Sequence, residues 1–170
     1  KYQIFISSTY KDLINARKKV MEEVLSMGHF PVGMESFTAG DEEQWEIIES
    51  ELATTDYYIL ILGKRYGSLS PEGIGYTEKE FDYAEGLGIP ILSFVRDENI
   101  AFTDDERETD PKLIKKFNNF RKKVMTGRMI KEWKEINELP GLVSTALNKQ
   151  ITRKPRLGWI RGDQTVPPET

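Results

Sequence analysis

Tyr57-Tyr58-Ile59-Leu60-Ile61-Leu62, closed by Gly63, carries an apolar or aromatic side chain at every position. A half-buried strand alternates apolar and polar residues, so an unbroken apolar run of this length reads as a central strand covered by helices on both faces. Upstream, Tyr2-Gln3-Ile4-Phe5-Ile6 reads as a first strand running into the hydroxyl cluster Ser7-Ser8-Thr9-Tyr10. From Asp12 onward, Leu13, Ala16, Val20, Val24 and Met27 recur at helical spacing until Gly28 stops the helix. Phe30-Pro31-Val32-Gly33 is a short second strand. Asp41, three residues before Gln44, then suggests a capping box opening a helix that runs to about Thr54 on a Trp45, Ile48, Leu52 stripe.

Downstream of Gly63 the alternation continues. A helix is expected from Tyr76-Thr77-Glu78 to Gly86 or Gly88, then the strand Pro90 to Val95. Residues 97–110 hold seven acidic side chains against Arg107 alone and lack periodicity, so they read as a solvated loop or flap. Asp110-Pro111 supplies an N-cap and a first-turn proline for a helix through Val124. A short edge strand near Arg128-Met129-Ile130 and a last helix from Leu139 to Ile151 complete the pattern. Alternating strands and helices with right-handed crossovers define an α/β fold, a doubly wound, flavodoxin-like parallel sheet of five strands in the order 2-1-3-4-5. Residues 1–151 form this domain. Residues 152–170 are expected to be a linker or tail with one aromatic anchor in Gly158-Trp159-Ile160-Arg161. The chain starts at Lys1 and ends in Pro167-Pro168-Glu169-Thr170, which suggests a domain with neighbours on the same polypeptide.

Composition narrows the chemistry. The 170 residues include no cysteine and one histidine, so cysteine nucleophiles, disulfides, Fe–S clusters and the usual zinc sites are not expected, and no metal or resident cofactor is implied. A Ser-His-Asp triad would need His29, which sits in the turn Gly28-His29-Phe30-Pro31. With 24 basic and 28 acidic residues the net charge is −4, so the domain lacks the basic footprint of a nucleic-acid binder. No apolar run approaches the roughly 20 residues of a membrane helix, and a cytoplasmic protein is the expectation. Neither the G-x-x-x-x-G-K-[ST] phosphate loop nor a G-x-G-x-x-G turn is present, which removes ordinary ATPase and Rossmann dehydrogenase readings.

The topology locates a site where strand order reverses, beyond the carboxyl ends of strands one and three. Its walls are expected to be Ser7, Ser8, Thr9 and Tyr10, then Gly63, Arg65 and Tyr66, with Glu78 and Glu80 at the following helix start. The hydroxyls suit ribose and phosphate, Arg65 a charge-assisted phosphate contact, and Tyr10 and Tyr66 stacking on a base. Thr77-x-x-Glu80 also reads as a capping box, in which Glu80 is a structural cap. The other reading makes Glu80, with Glu78 beside it, a carboxylate kept ionised by the helix N-terminus, able to attack or stabilise an oxocarbenium-like centre.

Three stretches together, Phe5-Ile6-Ser7-Ser8-Thr9-Tyr10-Lys11-Asp12-Leu13, Pro31-Val32-Gly33-Met34-Glu35-x-Phe37, and Gly63-x-Arg65-Tyr66-Gly67 with Gly75-Tyr76-Thr77-Glu78-x-Glu80, resemble the uncharacterised TIR-like domain found at the N-termini of STAND-type (NACHT) ATPases. More remotely, Glu80-Phe81-Asp82-Tyr83-Ala84-x-x-Leu87-Gly88-Ile89-Pro90 is similar to the segment carrying the catalytic glutamate of nucleoside deoxyribosyltransferase-like proteins and Toll/interleukin-receptor (TIR) domains. The resemblance implies an effector that cleaves the N-glycosidic bond of NAD or a related nucleotide when clustered, in antiphage or innate-immunity-type defence, with Glu80 as its catalytic residue. NAD would then be a substrate and not a cofactor. The alternative it leaves open is a non-catalytic module that self-associates or senses a ligand and signals to an attached STAND ATPase.

Overall fold

The computed structural model describes residues 1–33 and 42–164. Its strands are β1 (Gln3–Ser7), β2 (Phe30–Val32), β3 (Tyr57–Leu62), β4 (Ile91–Arg96) and β5 (Ile130–Trp133). The helices are α1 (Ile14–Ser26), α2 (Glu42–Ala53), α3 (Tyr76–Gly86), α4 (Pro111–Met125) and α5 (Leu139–Arg153). All strand pairs are parallel and the order is β2-β1-β3-β4-β5, the expected doubly wound sheet.

Strand parity explains why β3 is apolar throughout. Tyr57, Ile59 and Ile61 join Ile4, Ile6, Leu92 and Phe94 on the face covered by α1 and α5, whereas Tyr58, Leu60 and Leu62 join Phe5 and Val95 on the face covered by α2, α3 and α4. Both alternating sets are fully buried, so a polar residue on either face would be desolvated without a partner. Ser7 continues the second parity and therefore faces α3, which decides the site below.

Helix ends follow local chemistry. Asp110 accepts from the Lys112 amide at 2.8 Å and Pro111 occupies the first turn of α4, as the sequence indicates. The capping box expected at Asp41 lies outside the described residues. The one expected at Thr77-x-x-Glu80 does not form: α3 begins at Tyr76, its N-cap is Gly75, and no side chain caps it. Thr77 is thus one position inside the helix and buried, which leaves the Glu80 carboxylate free to bond elsewhere.

One further expectation changes. The acidic segment 97–110 contains a short 3-10 turn at Asp104–Glu106, and its Glu106 and Glu108 are tied to the body of the domain instead of being solvated. The tail carries the aromatic anchor expected at Trp159: its amide donates to the Lys1 carbonyl at 2.6 Å and its indole Nε1 donates to Gln3 Oε1 at 3.0 Å. This strap, which ends in a 3-10 turn at Gly162–Gln164, crosses the amino ends of the strands, opposite the switch point. His29 belongs to the same edge, accepting from the Tyr2 amide at 3.2 Å. Among the described residues no helix is long and apolar enough to cross a membrane.

Candidate functional site at the carboxyl edge of the sheet

The last residue of β1 and the fifth residue of α3 meet at the switch point. Ser7 Oγ donates to Glu80 Oε1 at 2.8 Å, and both residues are buried. Glu80 lies beyond the first turn of α3, where the helix dipole has faded, so burial controls its titration. Desolvation pushes its pKa from 4.5 up to about 8, opposed by the Ser7 hydrogen bond and by the Arg17 guanidinium, and assisted by the neighbouring Glu51 carboxylate. The expectation of a carboxylate kept ionised by a helix N-terminus is corrected on this point: at neutral pH Glu80 is mostly protonated.

Arg17 is the residue the sequence reading passed over. It is buried on α1, its Nη1 donates to Ser8 Oγ at 3.4 Å, and its field acts on both Glu80 and Glu51. Its signal was present: Arg17 is four residues after Leu13 and three before Val20, on the apolar stripe and not on the polar face. Gly33 makes room for it. At Gly33 (φ +139°) a Cβ would stand 2.5 Å from the Ile6 carbonyl oxygen and 2.7 Å from Arg17 Nη2. One guanidinium therefore lies near two carboxylates, Glu80 fully buried and Glu51 half-buried, and favours the ionised form of each against the desolvation that raises both.

The remaining predicted residues fall into separate groups. Thr9 Oγ1 donates to Asp12 Oδ1 at 2.5 Å, and a Cβ at Gly63 would lie 3.0 Å from Asp12 Oδ2, so Gly63 lets this buried carboxylate seat against the end of β3. Burial raises the Asp12 pKa, with Arg65 acting against it. Tyr66 is buried with its ring edge-on to Phe120; its hydroxyl donates to Glu78 Oε1 at 2.5 Å and accepts from the Gly75 amide at 3.0 Å. Glu78 is further paired with Lys123, which also binds Asp82 at 2.7 Å. Glu78 and Tyr66 thus form a brace between the β3–α3 loop, α3 and α4, and the structure does not bring them to the Ser7–Glu80 contact. Tyr10 is exposed and lines a shallow groove on α1 with Ile14, Met21 and Leu25.

Arg65 lies at the carboxyl end of β3, with its Nε 3.9 Å from Glu108 Oε1. That oxygen also accepts from the successive amides of Tyr66 and Gly67, at 2.9 and 3.1 Å. Gly67 holds φ +83°, and a Cβ there would stand 2.8 Å from Thr9 Cγ2. Gly67→Ala is therefore expected to cost about 1–3 kcal/mol, from left-handed backbone and overpacking together, measured as a shifted denaturant midpoint. Among the described residues no group of three or more His, Asp or Glu side chains is placed to hold a metal ion.

These features define a TIR-like, flavodoxin-like domain whose switch point holds a buried carboxylate, a hydroxyl loop and an arginine at either side. The chain belongs to the family described as Domain of unknown function (DUF4062), which it matches over residues 3–148. A comparison with curated proteins finds no match. Among solved structures it is similar to a CMP N-glycosidase, BcmB, of Clostridium botulinum (13% identity, TM-score 0.44, covering 84% of this chain and 97% of that one). It is also similar to a probable GTP-binding protein (12%, 0.49, 86% and 99%) and a diflavin flavoprotein of Nostoc sp. (12%, 0.43, 89% and 93%).

Proposed function

We propose that this domain is a nucleotide N-glycosidase whose substrate is NAD or a related nucleotide, with Glu80 as the catalytic carboxylate. The observation that supports this most is the Ser7–Glu80 contact at the switch point, under the field of Arg17. A carboxyl group this buried is held neutral by desolvation alone, and a cationic leaving group changes that balance. The nicotinamide ribosyl cation placed beside Glu80 favours its ionised form, and the anion then stabilises the charge that spreads over the ribose as the C–N bond lengthens.

The reaction balances without a cofactor. Water adds its oxygen to the anomeric carbon, the glycosidic electron pair leaves with neutral nicotinamide, and one proton is released to solvent with ADP-ribose. In this reading Ser7 orients the carboxylate and Ser8 with Arg17 closes the pocket. Thr9 and Gly63 position the loop through Asp12, Arg65 receives a phosphate, and the exposed ring of Tyr10 is available to a base. Glu78 and Tyr66, braced against Lys123 and Gly75, contribute by holding the mouth of α3. We assign the domain a cytoplasmic effector role, activated by self-association and attached to or associated with a STAND-type ATPase.

The test is nicotinamide release from NAD by concentrated or artificially clustered protein, followed by chromatography across a range of pH. Because the ionised form of Glu80 does the work, kcat/KM is expected to rise with pH until about 8 and then level. Absence of release from clustered protein with NAD, nucleosides and nucleoside monophosphates alike would replace the enzyme by the non-catalytic ligand-sensing module, for which Glu80 is a buried fold-specifying group.

A further inference from the structure

The β3 end carries a complete anion site that the chain fills with its own carboxylate. Two successive backbone N–H groups, those of Tyr66 and Gly67, point at one oxygen of Glu108, with the Arg65 guanidinium beside it. Successive amides converging around a left-handed glycine form the concavity that binds phosphate in many loops. Here the occupant comes from the acidic segment between β4 and α4. Glu108 is buried, although its neighbours in that segment are largely exposed.

The segment is attached mainly through polar and charged contacts. Beyond Glu108, it is held at its start by the Asp97 amide donating to the Trp133 carbonyl at 2.9 Å and by the Arg121–Glu98 ion pair at 3.6 Å, and further along by the Glu106–Arg96 ion pair, by Arg65 Nη1 donating to the Asp105 carbonyl at 3.0 Å, and by a bridge between Lys64 and Arg107 with a 3.3 Å amide bond. Phe102 adds its ring against Lys64 and Arg96, at 5.2 and 4.8 Å. These contacts are mostly between charged groups near solvent, the class that opens locally at low cost and weakens with salt. Where Glu106 reaches Arg96, a cavity of about 170 Å³ is lined by Asp12, Arg96, Glu106 and Trp133.

Position ties this site to Glu80. Gly67 packs on Thr9, and Ser7, two residues earlier, bonds Glu80; two residues span at most about 7 Å. The two sites therefore flank one loop.

We propose that residues 97–110 are an autoinhibitory strap: Glu108 occupies a phosphate-binding nest made by the Tyr66 and Gly67 amides and Arg65, and the diphosphate of a nucleotide displaces it. This deepens the reading of Arg65 as a phosphate contact, but it concerns binding alone. Inorganic pyrophosphate, which has no glycosidic bond, therefore tests it whether or not the domain cleaves NAD.

The experiment is calorimetric titration of the full chain with pyrophosphate, comparing wild type, Glu108→Ala, and Glu108→Ala combined with Arg65→Ala. Removing the competing carboxylate is expected to tighten binding by about tenfold or more, because the competent open state no longer has to be populated against Glu108. The added Arg65→Ala is expected to erase that gain. Equal affinity of wild type and folded Glu108→Ala, or a gain that survives loss of Arg65, would overturn the proposal. Should Glu108→Ala fail to fold, amide exchange of the wild type decides: pyrophosphate is expected to accelerate exchange in residues 97–110, and unchanged or slowed exchange there rejects the strap.

Discussion

Glu80→Gln is expected to abolish nicotinamide release while making the folded domain more stable at and above neutral pH. The substitution keeps the shape and the oxygen that accepts from Ser7 Oγ, and it removes only the ability to ionise. The stability effect follows from the raised pKa. In the unfolded chain Glu80 loses its proton near 4.5, whereas in the folded chain it keeps it to about 8. Between those values the folded state binds more protons than the unfolded state, so wild-type stability falls as pH rises and levels off above about 8.

The span from 4.5 to about 8 corresponds to about 5 kcal/mol, the upper bound on what the variant regains at alkaline pH. Near pH 4.5 wild type and variant should be nearly equal. Urea titrations at pH 5, 7 and 9 measure the divergence; a difference that does not grow with pH would mean that Glu80 is ionised in the fold, with Arg17 outweighing desolvation. Activity separates the roles: a loss of about a hundredfold or more in a variant that is more stable belongs to chemistry and not to folding.

Arg17→Met is expected to be the most destabilising single change near the site, by up to about 3–5 kcal/mol above pH 8, where Glu80 ionises. Methionine fills much of the same space, so the loss is chiefly electrostatic. Arg17 is the cation that favours ionisation of both Glu80 and Glu51, each of which burial pushes the other way. Without it both carboxyls titrate higher, and the pH-dependent fall in stability steepens and extends to higher pH. The variant should therefore be closest to wild type at pH 5 and furthest from it above pH 8. A cost independent of pH would assign Arg17 to packing alone. The double variant Arg17→Met with Glu80→Gln should recover part of the loss, because one of the two stranded carboxyls is gone.

Much of this molecule was legible in the chain itself. The apolar run Tyr57–Leu62 defined a strand buried on both faces, and the alternation of strand and helix around it left one sheet order and one switch point. Ser7 and Glu80 could be named because that topology brings the end of β1 to the start of α3 whatever the side chains are. Pairing geometry and periodicity are local or nearly so, and a sequence carries them directly.

What the chain did not disclose depends on who surrounds whom. Thr77-x-x-Glu80 has the spacing of a capping box, yet α3 starts at Tyr76 and Glu80 turns inward to Ser7. Arg17 looks like one of several charged residues on α1, and Glu108 like one of seven acids in a solvated loop, but both are buried against partners distant in sequence. Desolvation is a property of the assembled environment, so whether Glu80 is ionised, which carboxylate Arg17 favours and what fills the nest at Gly67 are settled only once the helices close over the sheet.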